Sequence, residues 1–180
     1  MSDWTDELTR LLFESSFLSL ATTDVEGRPW VTPVEFACDD ALRFYWTSHV
    51  DARHSRNLRA NPRAALSIYD SAQAPGVRAP VQGLYAEGPV EELGRADLEA
   101  LRPSLDRWLG WRDAARGIAR HATTVDSPGD DTPWRTYRLT AVEVYALDPG
   151  GHPDLPGVRI WRVPVDLTGS FSRAYRARLA

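Results

Sequence analysis

The sequence has 180 residues and no lysine, because all 21 of its basic residues are arginine. Codon bias in a GC-rich genome is the simplest cause of such a composition. The absence still excludes chemistry that needs a lysine amine, namely Schiff-base formation, a lysine general base and a P-loop. Any anion that the protein binds must be held by arginine, histidine, hydroxyl groups or backbone amides.

Cysteine is almost absent too, since Cys38 is the only one. A single cysteine excludes a disulfide framework and a cysteine-rich zinc site. His49, His121 and His152 are scattered without the spacing of metal ligands, so we expect no metal site.

Long hydrophobic runs are missing as well. The opening segment MSDWTDELTR is acidic and polar, unlike a signal peptide, and the apolar stretch after it is far short of the roughly 20 residues of a membrane helix. A net charge of −4 and a pI of about 5.6 argue against nucleic acid and anionic membranes as partners. The expectation is a cytoplasmic protein.

The chain length and the hydrophobic pattern favour a single domain over residues 1–180, with a core at 17–165 and a tail at 166–180. Short alternating segments joined by tight turns predict a meander or a small barrel, mainly β with α (α+β), with six or seven antiparallel strands and peripheral helices. The predicted strands cover residues 17–23, 29–37, 42–47, 63–69, 81–93, 134–147 and 158–165. Helices are predicted near residues 4–12, at 51–60 with Asp51 as the N-cap, and from residue 95 onward, with a further short helix to 120.

The segment that indicates chemistry is FYWTSHVDARHSRNLRANP, residues 44–62. A strand ends in the hydroxyls of Thr47 and Ser48, and a helix then begins with Arg53 and His54 in its first turn. Cations at the positive end of a helix dipole cost stability unless an anion lies beside them. The pattern therefore predicts a phosphate-sized anion site, although the arginines taken singly are also typical of a solvated helix face.

Three segments together resemble the FMN-binding split barrel of the pyridoxamine 5′-phosphate oxidase-like superfamily. They are FLSLATTDVEGRPWVTPVEFA, FYWTSHVDARHSRNLRANPRAALSIYD and VQGLYAEGPVEEL. The resemblance implies a split β-barrel that binds FMN, and a homodimer with the cofactor at the subunit interface. The positions that match flavin-contacting residues of the family are Thr32, Pro33, Val34, Ser48, Arg53, His54, Asn57 and Gln82.

The sequence departs from the family at positions that bind phosphate and substrate. His54 and Ala37 stand where the pyridoxamine phosphate oxidases have lysines, and Ala52 replaces a serine. Their C-terminal Arg-x-His substrate signature has no clear counterpart in residues 158–165. The resemblance therefore supports the cofactor better than it supports oxidation of vitamin B6.

Two of the seven tryptophans, Trp46 and Trp161, lie on predicted strands near the proposed site and could stack on a planar ring. A tryptophan on a strand more often belongs to the core or to an interface. The arginine-rich tail 171–180 either closes over a partner's site or is a frayed cationic helix. No Ser-His-Asp order is recognisable, so no catalytic residue is assigned.

The leading functional hypothesis is an FMN-dependent oxidoreductase that transfers a hydride to or from a small molecule. One alternative is a reductase that uses the deazaflavin F420, which related split barrels bind. Another is a flavin- or haem-binding protein without turnover, in which His49 or His54 would be the axial haem ligand.

Overall fold

The computed structural model describes residues 4–70, 83–115, 132–148, 152, 154–157, 161–165 and 168–179. The helices in this part of the chain are α1 (Trp4–Glu14), α2 (Arg53–Ala60), α3 (Arg95–Ala115) and α4 (Thr168–Leu179). The strands are β1 (Phe17–Thr23), β2 (Pro29–Glu35), β3 (Ala37–Cys38), β4 (Arg43–His49), β5 (Arg63–Tyr69), β6 (Gly83–Glu92), β7 (Trp134–Thr140), β8 (Glu143–Asp148) and β9 (Trp161–Pro164).

The strands form one curled antiparallel sheet in the order β2-β1-β5-β6-β7-β4-β3, and β8 and β9 branch from β6. β6 joins the two halves, because residues 83–89 pair with β5 whereas residues 90–92 pair with β7. Gly88 lies at this change of partner, where a Cβ atom would stand 1.9 Å from the carbonyl oxygen of Thr140. Only glycine fits such an approach. The predicted α+β split barrel is confirmed.

Alternating burial places one face of β1, of β5 and of most of β6 in the core, as the two-residue period predicts. β1 turns Leu18 and Leu20 inward, and β5 turns Leu66 and Ile68 inward. The N-terminal helix predicted from its spacing is α1, and the helix predicted from residue 95 is α3. The further helix predicted up to residue 120 lies outside the described residues.

Nine strands are described where six or seven were predicted. The segment 134–147 contains two strands, since the N–H of Val142 bonds to the carbonyl of Glu87 between them. The segment 29–37 is likewise broken at Phe36, whose N–H bonds to Ser16 O at 3.3 Å. Both breaks lie at backbone hydrogen bonds to residues that are distant in sequence, and the local pattern contains no sign of these bonds.

Asp51 is not the N-cap of α2, so that prediction was wrong. The N-cap is Ala52, one residue later, and it has no side-chain capping bond. The loop is instead closed by the N–H of Ala52, which donates to His49 O at 3.0 Å. The start of α2 is therefore without the acidic cap that most helices use.

The arginine-rich tail is the ordered helix α4, and it packs on its own chain instead of fraying. Phe171 and Tyr175 are buried, and the ring of Tyr175 stacks on Trp108 of α3 at 5.6 Å. The Tyr175 hydroxyl donates to Cys38 O, and Arg176 pairs with Asp40 at 2.7 Å. Within the described ranges, no helix is both long enough and apolar enough to cross a membrane.

Candidate functional site

The centre of the candidate site is the connection from β4 to α2. The Ser48 hydroxyl and Nε2 of His54 are 2.7 Å apart and share a hydrogen bond, and both side chains are more than nine-tenths buried. The short loop between strand and helix brings these two predicted residues together, because six positions span the turn from the strand end into the first helical turn.

The buried imidazole of His54 differs from the lysine that the resemblance would place there. Burial lowers the pKa of His54, since the charged imidazolium loses its hydration. The side chain is therefore neutral at pH 7, whereas a lysine would carry a permanent charge. The site gains a cation at position 54 only when a nearby group, such as an anion, favours protonation of the imidazole.

The N-terminus of α2 leaves its first amides available. The first helical hydrogen bond runs from the N–H of Arg56 to Ala52 O at 3.0 Å, and the N–H groups of Arg53, His54 and Ser55 precede it. The first turn contains no acidic residue. A helix end of this kind attracts an anion through its free N–H groups and its dipole.

Arg53 supplies the permanent positive charge at this helix end. Its guanidinium carbon lies 4.5 Å from the centre of the Trp30 ring on β2, and its Nη2 lies 4.0 Å from Asp24 Oδ2. The side chain remains 41% exposed. Arg53 is therefore held in place and still accessible to a ligand.

Trp30 and Asp24 are site residues that the sequence reasoning missed. The signal for Trp30 was its position two residues before Thr32, which puts both on one face of β2. The pKa of Asp24 is lowered, chiefly by the hydrogen bond that its carboxylate accepts from Arg28. The groove next to Arg53 is of mixed charge, and its charged lining residues are Asp24, Glu26, Arg28, Arg53 and Arg56.

The predicted ring-lining residues Thr32, Pro33 and Val34 follow Trp30 along β2. Thr32 is half-buried, Pro33 is exposed and Val34 is in the core. Since Trp30 contacts Arg53 and shares a face with Thr32, β2 leads from the arginine toward the barrel interior. That placement suits a ligand whose anionic end lies at Arg53.

Thr47 and Asn57 hold the framework of the site. The Thr47 hydroxyl is 2.9 Å from the Thr136 hydroxyl on β7, and the Asn57 amide donates to Thr22 Oγ1 at 3.0 Å. These bonds tie β4 to β7 and α2 to β1. The prediction that either residue also contacts a cofactor stays a prediction.

The two tryptophans selected from the sequence lie in different environments. Trp46 is 2% exposed and stacks on Tyr137 at 5.7 Å, so in this chain it is a core residue. Trp161 packs on His152 at 4.4 Å, on the strand that pairs with β8. Their assignment to a cofactor stays a prediction, and Gln82 lies outside the described residues. In the described part of the chain, no cluster of three metal-ligating side chains occurs.

Several known proteins are similar to this chain in sequence. A family model described as pyridoxamine 5′-phosphate oxidase matches residues 4–148. A pyridoxine/pyridoxamine 5′-phosphate oxidase of Anaeromyxobacter dehalogenans is 30% identical over 155 residues, covering 76% of this chain and 75% of that one. Other proteins of that name match over shorter stretches, in which the chain spans 36–38% of their length.

Two solved structures show the same fold. A heme-binding protein from Mycobacterium smegmatis has a TM-score of 0.63 at 19% identity, over 96% of this chain and 61% of the other. A FAD-binding protein from Mesorhizobium loti has a TM-score of 0.55 at 21% identity, over 81% of this chain and 94% of the other.

Proposed function

The chain belongs to the pyridoxamine 5′-phosphate oxidase family, and we propose that it is an FMN-dependent oxidoreductase acting on a small molecule. The observation that carries the proposal is the helix end at Arg53. An uncapped helix N-terminus, an accessible guanidinium and the Ser48–His54 pair meet there. This donor set fits a phosphate monoester, which needs several N–H and O–H donors and at least one cation. The related FAD-binding structure supports a flavin as the rest of the ligand.

The residues of this chain would bind and orient the cofactor. A bound flavin supplies the hydride chemistry itself. Arg53 and the first amides of α2 would hold the phosphate. Thr32 and Val34 would line the ring from the inner face of β2, and Pro33, whose ring lies on the opposite face, would contribute backbone only. No acid or base is assigned to the reaction. Ala37 and His54 stand where the pyridoxamine phosphate oxidases have lysines, so the proposal names no substrate more specific than a small molecule. Vitamin B6 is not proposed as the substrate.

A homodimer is part of the proposal, and the outer face of the sheet supports it. Phe17, Val31 and Tyr69 are 57–61% exposed. The register places Val31, Ala21 and Ala65 side by side on that face. The same face also carries Glu35, Arg63 and Glu87, and Arg63 pairs with Glu87 at 3.9 Å. An exposed apolar patch bordered by such charges can meet a second copy of itself. Sedimentation should show a dimer for the wild type and monomers for Val31→Glu, and a monomeric wild type would contradict this.

The test of the cofactor begins with the absorption spectrum of the purified protein and the identity of what denaturation releases. We expect the spectrum to show flavin bands and denaturation to release FMN. The apoprotein should then bind added FMN. F420 would be supported by its own spectrum, but the mixed-charge groove beside Arg53 suits a long acidic tail poorly. A Soret band would favour haem. A cytoplasmic location stays a prediction of the sequence.

The Arg53→Ala variant tests the phosphate assignment directly. Removing a guanidinium that contacts phosphate should weaken FMN binding by about tenfold or more, measured by quenching of flavin fluorescence. Arg107→Ala is the matched control, because Arg107 is an exposed arginine on α3 and α3 packs on β3 and α4. Unchanged FMN affinity in Arg53→Ala would overturn the assignment.

A further inference from the structure

The Ser48–His54 pair gives the anion site a property that a lysine would not give it. Both side chains are buried, and their bond of 2.7 Å uses the hydrogen-bonding capacity of Nε2. In the neutral pair the imidazole brings no charge to the site. Arg53, the residue before His54, is 41% exposed, and it is a permanent cation of that first turn together with Arg56.

Binding of a phosphate would favour the protonated form of His54 in this pair. An imidazolium has two N–H donors and no acceptor, so its Nε2 must donate to the Ser48 oxygen. Ser48 must then direct its own proton away from His54 and can donate it to an anion. Protonation therefore adds a charge one hydroxyl away from the ligand and also fixes Ser48 as a donor.

We infer that the protein takes up a proton from solvent at His54 when it binds the phosphate of its cofactor, so that retention of the phosphorylated ligand depends on pH. This inference rests on the proposed function, and it adds that the site discriminates between phosphorylated and unphosphorylated ligands more strongly at lower pH. The proton goes from buffer to the imidazole, and no other bond is made or broken.

In the unliganded protein, the charged groups around His54 do not raise its pKa. Arg53 and Arg56 lie on α2, and Asp24 lies in the turn after β1. His49 is the last residue of β4, and Asp51 lies in the loop that follows it. On the sheet, Arg135 of β7 is opposite Ser48 and pairs with Glu92 of β6 at 3.1 Å. Burial is the cause of the lowered pKa of His54, so an anion near Ser48 would raise that pKa toward or above its usual value.

The experiment is calorimetric titration of the apoprotein with FMN and with riboflavin, which lacks the phosphate. Between about pH 7 and pH 8.5 free FMN is a dianion and the free imidazole is neutral, so any linked proton must come from buffer. Buffers of different ionisation enthalpy give the number of protons taken up. We expect uptake of a fraction of a proton with FMN, larger at pH 7 than at pH 8.5, and none with riboflavin, and an FMN affinity that falls with rising pH by less than tenfold per pH unit.

Two variants at position 54 test the assignment to this residue. His54→Gln keeps a hydrogen-bonding group beside Ser48 but cannot be protonated, so proton uptake should vanish. His54→Lys carries its charge before binding, so FMN affinity should become nearly independent of pH over the same range. Proton uptake that persists in His54→Gln would overturn the inference.

Failure of this inference is distinguishable from failure of the proposed function. FMN that binds the wild type tightly with no proton uptake overturns the proton linkage and leaves FMN as the cofactor. Equal binding of FMN and riboflavin overturns the phosphate site and with it the linkage. Absence of flavin binding at every pH overturns both.

Discussion

The guanidinium of Arg53 lies over the indole ring of Trp30, with 4.5 Å between the guanidinium carbon and the ring centre. This cation–π contact joins α2 to β2 and limits the positions open to Arg53. Asp24 Oδ2 stands 4.0 Å from the same guanidinium. A bound phosphate and the Asp24 carboxylate would therefore act on one cation from two sides.

Asp24→Asn should tighten FMN binding by about two- to fivefold, the range of a solvent-exposed charge pair. The amide removes the negative charge near Arg53 but keeps an oxygen for the N–H groups of Glu26 and Arg28. Glu26→Gln is the control, because it removes the same charge from the same turn and its partner is Arg28. Flavin fluorescence titration measures both, and equal gains would contradict a specific effect at Arg53.

The bond from the Tyr175 hydroxyl to Cys38 O, 2.8 Å long, holds α4 against β3. Tyr175→Phe should lower the free energy of unfolding by about 1 kcal/mol, because a buried carbonyl loses its donor while the ring packing stays. Urea unfolding measures the change. Tyr145→Phe, whose hydroxyl bonds to Glu143 near the surface, should leave stability nearly unchanged. A Tyr175→Phe protein as stable as the wild type would show that water replaces the bond.

The two hairpin turns show how far the sequence predicts this fold. Both lie between predicted strands, but the sequence did not show that the two turns share one geometry. Asp24 and Asp39 each accept the N–H groups two and four residues ahead through Oδ1, and each pairs with the arginine four residues ahead. The fourth residue has a positive φ in both turns, 76° at Gly27 and 55° at Leu42. A leucine in that conformation hides the similarity.

Gly27→Ala should destabilise the protein by about 1 kcal/mol, the cost of left-handed backbone for an L-residue. A Cβ atom at this position meets nothing within 4 Å, so the cost is that of the backbone alone. Gly110 is open in the same way but lies inside α3, and Gly110→Ala should therefore stabilise the protein by about 1 kcal/mol. Thermal unfolding of the two variants should shift in opposite directions, and shifts of the same sign would contradict the assignment.

The site was predictable where its residues are neighbours in sequence. Ser48 and His54 flank one loop, so the change from strand to helix was enough to group them. Trp30 is 23 residues before Arg53, and their contact depends on how α2 packs on the sheet. Trp46 has the same strand pattern as a ring-stacking residue, and only the curl of the sheet shows that it is buried against Tyr137.

Buried phenols and a buried thiol give the protein a weakness at high pH. Burial raises the pKa of Tyr45, of Tyr175 and of the Cys38 thiol. The hydrogen bond from Tyr45 to Asp39, 2.8 Å long, adds to the effect because a phenolate could not donate it. The folded protein thus keeps protons that the unfolded chain releases near pH 9 to 10, as ordinary thiols and phenols do.

The free energy of unfolding should therefore fall as pH rises above about 9, by about 1.4 kcal/mol per pH unit for each such group once its unfolded form is ionised. The sign follows from proton count, because above that pH the folded state binds more protons than the unfolded state. Since the chain has no lysine, amines of lysine do not contribute to this slope. Urea unfolding from pH 8 to about pH 11 measures it. Tyr175→Phe should make the slope shallower by one group, and an unchanged slope would mean that Tyr175 ionises in the folded protein.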